Sequence, residues 1–270
     1  MSTPAIVLRA VDYGESDRIV TFLTRDVGKL SGIAKGAKRS QRRFGGALGL
    51  FAHVTLQYRQ RPGAELAFLE RTLLIRPWRS LLDSLERYAA ATHVVEVADK
   101  MTLEHEVGDD LYRVVLATLA RLDATEPGPM TLRLFELAAL AACGYRAELE
   151  SCVVCRRTLG ADGLPARIAP TAGGATCGRC VQPSAAPAAL SAGTLGCLAR
   201  MQRAIRLGAT SDEEHDELFA DESALAALGE PIAMRELAGA LAALLAPHLR
   251  GRLRAAELLR PILLRQSGLG

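Results

Sequence analysis

Aromatic residues are scarce in this sequence: six Phe, five Tyr and a single Trp among 270 residues, or 4%. So few rings argue against an aromatic-lined cleft, and the Ala- and Leu-rich remainder favours helix packing. Long apolar runs are missing as well. The most apolar stretch, Leu237 to Leu249, is short and contains Pro247, which excludes a membrane span there. The N-terminus has no apolar signal region before Asp12 and Glu15, so a cytoplasmic protein is expected. In that compartment six cysteines rarely form disulfides, which turns attention to metal binding. Catalytic signatures are wanting too: no Walker phosphate loop, no His-Glu-x-x-His and no nucleophile motif occurs, and the five histidines are scattered. The expectation is a protein that is not an enzyme.

What is present is an uneven charge. The formal net of +3 hides fourteen Lys/Arg against six Asp/Glu in residues 1–80 and nineteen against twenty-four in the rest. A net of +8 at the front and −5 behind points to a polyanionic partner for the first domain and other work for the second.

Residues 1–76 read as strands. Ala5–Arg9 and Ile19–Thr24 flank a turn at Tyr13–Asp17, Lys29–Ala34 follows Gly28, His53–Arg59 alternates Val54, Leu56 and Tyr58, and Leu66–Ile75 follows the Pro62-Gly63 turn. Five strands with one long loop suit a small closed barrel of the OB type; an SH3-like barrel or an open meander fits the pattern nearly as well. Ser80 with Asp83 resembles a helix start. Helices are expected near 81–100, 109–122, 131–143, 191–207, 212–228, 231–249 and 253–265 from apolar spacing and chain punctuation. Between Tyr145 and Pro187 the helical period is lost among glycines and paired cysteines. The expected organisation is α+β: a barrel over 1–79, a helical domain over 80–144 and 188–270, and a metal-binding insertion over 145–187.

Cys152-Val153-Val154-Cys155 and Cys177-Gly178-Arg179-Cys180 form two Cys-x-x-Cys pairs separated by 21 residues. Each two-residue spacer lets a tight knuckle present two sulfurs to one ion, and four protein ligands close the tetrahedron of a structural Zn²⁺, one per chain. Arg156, Arg157 and Arg179 sit beside the thiolates. A deaminase site is excluded, since Thr176 precedes Cys177 and the only His-x-Glu, His215-Asp216-Glu217, lies downstream. Neither pair stands between a strand and a helix of a βαβ unit, which weakens a redox reading. Cys143 and Cys197 read as small core residues.

Between the third and fourth strands, Lys35, Lys38, Arg39, Arg42 and Arg43 place five cations in nine residues, with no carboxylate between Asp26 and Glu65; Lys29 lies nearby. A glycine-hinged cationic loop on a barrel supplies mobile donors for a phosphate backbone. Five neutralised phosphates would give a log–log salt slope of about −3.5 on single strands and −4.5 on duplex. No base-reading helix accompanies the loop, so binding without sequence preference is expected. Phe44, with Leu48, Leu50 and Phe51, reads as the apolar return that packs the loop on the barrel rather than as a base-stacking residue.

Lys35-Gly36-Ala37-Lys38-Arg39-Ser40, Arg43-Phe44-Gly45-Gly46-Ala47-Leu48, Arg133-Leu134-Phe135-Glu136-Leu137 and Gly144-Tyr145 ahead of the paired cysteines, in this order, resemble the RecO family of bacterial recombination mediators. The resemblance implies an OB-fold, a helical domain and a zinc module. It also implies binding of single- and double-stranded DNA, strand annealing, and partnership with RecR in loading RecA onto strands coated by single-strand-binding protein (SSB), beside the nucleoid. Recognition of the acidic SSB C-terminal tail is expected on the helical domain, with Arg133 as a candidate contact. Some relatives lack the cysteines, which makes the zinc a device for folding the insert. Two other functions compete. A zinc-stabilised nuclease would need clustered carboxylates, for which the sequence offers Asp212–Glu217, and a transcription or RNA adaptor would need sequence or RNA preference.

Overall fold

The structure, a computed structural model, describes residues 1–105, 108–128, 130–160, 165–180, 189–205, 207 and 234–255. The helix expected over 212–228, the acidic run Asp212–Glu217 and all but the first residues of the helix expected over 253–265 lie outside the described residues. By packing, the chain divides into two units: Met1–Pro127 with the segment from Arg250 onward, and Gly128–Leu249.

Five strands build the front of the first unit: β1 (Ser2–Tyr13), β2 (Asp17–Thr24), β3 (Gly28–Ala34), β4 (His53–Arg59) and β5 (Ala67–Arg76). They close in the order β1-β2-β3-β5-β4, an OB-like barrel, with β4 returning to β1 through pairs such as Ala5 with Val54. β3 alternates strictly between buried and half-buried residues, so one face feeds a core of Val7, Val20, Phe22, Leu30, Val54, Leu56 and Leu69. The only parallel contact in the barrel is the short seam where Gly32 pairs with Ala67 and Ile33 with Phe68. Gly32 is forced there: a Cβ would stand 2.3 Å from Leu69 Cδ2 and 3.0 Å from the Ala67 carbonyl.

The segment from β3 to β4 holds one short helix, α1 (Gln41–Phe44), and then dives inward. Phe44, Ala47 and Leu48 join the barrel core, as the apolar-return reading of Phe44 requires. The Phe51 and Val7 amides complete the stitch, donating to the Val7 and Ala52 carbonyls respectively, each at 3.0 Å.

After β5 the chain does not enter a helix at Ser80. Arg79–Leu82 makes only a single 3₁₀ turn, and the Ser80 amide donates to Asp123 Oδ1 at 2.9 Å. Ser84 caps α2 (Leu85–Met101) instead, its hydroxyl accepting from the Arg87 amide. α3 (Asp109–Ala124) begins with Asp109 and Asp110, where negative charge suits a helix start. α2 and α3 pack with the barrel: His53 Nε2 lies 2.8 Å from Tyr112 Oη, and Phe51 meets Tyr88 edge-on. Trp78, in the left-handed region at φ 38°, is buried beneath the Arg76 guanidinium.

In the second unit, α4 (Thr131–Ala142) is buried on almost every face rather than along one stripe. α5 (Ala192–Ala204) and α6 (Met234–Leu245) pack on it. The stretch without helical period contributes β6 (Ala166–Ala169) and β7 (Gly174–Thr176) to a small sheet in the order β7-β6-β8, whose third strand, β8 (Ala189–Leu190), lies just beyond it. No helix of the described residues is long and apolar enough to cross a membrane.

Candidate nucleic-acid interface and candidate metal centre

The cationic loop is framed by backbone bonds. Gly36, at φ 66°, donates its amide to Asp17 Oδ1 at 2.8 Å, and its carbonyl accepts the amides of Arg39 and Ser40, which folds Lys35–Ser40 into a tight turn. The Lys38 amide reaches the Ser16 carbonyl at 3.0 Å. These contacts bring the β1–β2 hairpin against the loop, and with it two carboxylates that are remote in sequence. Lys38 Nζ sits 3.0 Å from Asp12 Oδ2, and Arg18 shares the same carboxylate. The lack of a neighbouring acid along the chain thus did not leave the loop unneutralised. Hydrogen bonds from Lys38 and then Arg18 hold the Asp12 carboxyl below its ordinary range; the Gly36 amide and then Ser16 do the same for Asp17.

The five loop cations fall into two groups. Arg43 is consumed structurally: its Nη2 donates to the Lys35 carbonyl at 2.6 Å, its Nε to Ser40 Oγ at 3.2 Å, and its guanidinium lies over the Phe44 ring. Lys38 has the Asp12 partner. Lys35, Arg39 and Arg42 are exposed, and among the described residues their side chains make no ion pair or hydrogen bond, Lys35 feeling Asp17 only through space. Lys29 stands apart from this group. Its Nζ is 2.6 Å from Asp99 Oδ1 and donates to the Asp99 carbonyl, with 13% of the side chain exposed, so it ties β3 to α2. Arg133 is also inside: 7% exposed, with Nη2 2.9 Å from Glu136 Oε1 one turn along α4. The i,i+3 partner was visible in the sequence; the burial of both groups was not.

The two Cys-x-x-Cys pairs meet. The sulfurs of Cys152, Cys155, Cys177 and Cys180 all lie within 4.8 Å of one another, a group able to hold a metal ion. Each knuckle is a turn: the Arg156 amide donates to the Cys152 carbonyl at 2.9 Å, with Arg156 at φ 63°, and the Cys180 amide to the Cys177 carbonyl at 3.0 Å. The first knuckle is stitched to β7 by the Val153 amide on the Ala175 carbonyl. Four sulfurs at the usual 2.3 Å from zinc stand about 3.8 Å apart in a tetrahedron. Cys155 and Cys177 are 3.8 Å apart. Burial pushes the Cys152 thiol up, but donation from the Cys155, Cys177 and Val154 amides outweighs it and brings the group down to about 6. Cys180, facing the sulfurs of Cys155 and Cys177, is pushed up to about 12. Four thiols crowded in this way share protons that a cation would displace. Of the remaining cysteines, Cys197 is buried as expected and Cys143 is half-buried at the end of α4.

Two family models cover nearly all of this chain: Recombination protein O N terminal over residues 1–78 and Recombination protein O C terminal over residues 82–256. The chain is 39% identical over 260 residues to the DNA repair protein RecO of Anaeromyxobacter dehalogenans, covering 95% of this chain and 94% of that one. It is 41% identical over 256 residues to the protein of that name in another Anaeromyxobacter strain, covering 94% and 93%. The Myxococcus xanthus DNA repair protein RecO is 40% identical over 176 residues, covering 65% of this chain and 70% of that one. A closed barrel carrying a cationic loop, a helical body with a four-sulfur cluster, and these matches lead to one assignment: the chain belongs to the RecO family, with a role in DNA repair and recombination.

Proposed function

We propose that the chain binds single- and double-stranded DNA through the loop of Lys35, Lys38, Arg39, Arg42 and Arg43, anneals complementary strands, and acts with RecR to load RecA onto SSB-coated single strands in the bacterial cytoplasm. The observation that carries this reading is the loop itself: Lys35, Arg39 and Arg42 are exposed on a segment fixed to a barrel, and among the described residues their side chains make no ion pair or hydrogen bond. Annealing asks for no bond-making chemistry. Two strands repel, and a protein that screens phosphates while leaving base edges exposed lowers that barrier. No catalytic group enters the reading. The four cysteines hold one structural Zn²⁺ that keeps the insert folded, with no open position for substrate.

The SSB tail is assigned to the helical region, but not on the strength of a free Arg133. An acidic tail reaching that guanidinium would have to compete with Glu136. Lys29 contributes to the interface through the placement of β3 rather than by touching phosphate.

The test is annealing of SSB-coated complementary strands by the wild type and by a variant with Lys35, Arg39 and Arg42 changed to Ala, which spares the two cations that hold the turn. Loss of annealing with circular dichroism and melting unchanged supports the reading, and full activity overturns it. Labelled DNA incubated with the protein and Mg²⁺ is to remain uncut; cleavage would make the protein a nuclease instead.

A further inference from the structure

The loop accounts for phosphate binding but leaves unused a second feature of the barrel. On its outer face a cavity of about 760 Å³ opens between β3, β5 and the β4–β5 connection. Ile33 and Phe68, paired across the parallel seam, line it together with Leu66, and Lys35 and Arg61 stand among its walls. β5 explains why the ring is available. Ala67 and Leu69 turn fully into the core, so the alternation sends Phe68 outward, where it remains 37% exposed beside an equally exposed Leu66. Arg59, also in the wall, is occupied by Glu70. Arg61 and Lys35 have no such anchor among the described residues, where neither side chain makes an ion pair or hydrogen bond.

A partly exposed ring flanked by two available cations matches one ligand chemistry well. An unpaired nucleobase stacks on an aromatic face while the phosphates on either side of it meet the cations. A duplex cannot do this, because its bases are already stacked and paired. An acidic peptide without an aromatic side chain would satisfy the cations but leave the ring uncovered. Lys35 belongs both to the cationic turn and to this groove, so one strand can run from the loop into the cavity without a break.

We infer that this groove is a single-strand subsite, in which Phe68 stacks on an unpaired base and Lys35 and Arg61 hold the adjoining phosphates. The inference rests on the DNA-binding reading above and specifies which form of DNA the barrel favours.

The test uses the full chain and fluorescence anisotropy with three probes: a short oligothymidine, a duplex of the same length, and a strand of that length lacking bases. Phe68→Ala should weaken oligothymidine binding about tenfold and leave duplex and baseless-strand binding unchanged. Phe68→Trp should restore it, which separates stacking from a general disturbance of the barrel. Arg39→Ala with Arg42→Ala should weaken all three probes. Wild-type affinity of Phe68→Ala for oligothymidine, or equal losses on duplex, overturns the groove while the loop result still stands. A wild type that ignores every oligonucleotide overturns the DNA-binding reading and the groove together.

Discussion

Among the individual side chains, the division between occupied and available cations carries a measurable consequence. With Arg43 holding the turn and Lys38 on Asp12, three loop charges remain for phosphate. Changing Lys35, Arg39 and Arg42 to Ala should flatten the log–log salt slope by about 2 on single strands and nearly 3 on duplex, rather than by the larger values a count of five suggests. Anisotropy titrations at several salt concentrations read this directly. Asp12 and Asp17 both ionise below the ordinary carboxylate range. A depressed folded pKa gives an anchor that is intact above the unfolded value and fails only as pH falls through the folded one. The loop frame should therefore stay constant from about pH 5 upward, and DNA affinity should not drop on moving from pH 8 to pH 5 through these two groups. Arg133 poses the opposite case. Its pair with Glu136 is buried on both sides, so Arg133→Ala removes a charge partner from a buried carboxylate and should cost about 3 kcal/mol in urea denaturation. A variant that loses SSB-tail binding without losing stability would instead favour a surface role.

Secondary-structure elements were legible wherever period and punctuation agreed. His53–Arg59 was read to the residue, because alternation and flanking turns coincide there. β1 runs further at both ends than its apolar run, since Asp12 and Tyr13 continue the ladder by pairing with Arg18 and Asp17, a contact that propensity does not record. The start of α2 lies four residues beyond the expected one because Ser80 and Ser84 offer the same capping chemistry, and it is the Ser84 hydroxyl that accepts the amide three residues on, from Arg87. The cysteine pairs announced their meeting by spacing alone. Lys29 gave no warning, as its partner Asp99 is seventy residues away. The two-pair seam between β3 and β5 is the weak point of barrel closure. Gly32→Ala should cost about 1–3 kcal/mol, since Leu69 and the Ala67 carbonyl would both have to give way; the shift in the denaturation midpoint measures it.

For the molecule as a whole, the sequence offers a natural reporter. Trp78 is the only tryptophan and is buried in the first unit, between the strands and α2. The cysteine cluster belongs to the second. Metal analysis should find about one zinc per chain, and a strong chelator should lower the thermal stability followed by circular dichroism while leaving the emission maximum of Trp78 in place. A red shift on chelation would mean that the metal supports the barrel unit as well. Phe44, Ala47 and Leu48 belong to the barrel's interior as much as to the segment carrying the cations. Trimming or extending that segment would unplug the barrel, so its length is not open to adjustment. Evolution or an engineer wishing to tune the grip on nucleic acid is left with exchanging side chains one at a time, and orthologues should differ here in charge far more readily than in spacing.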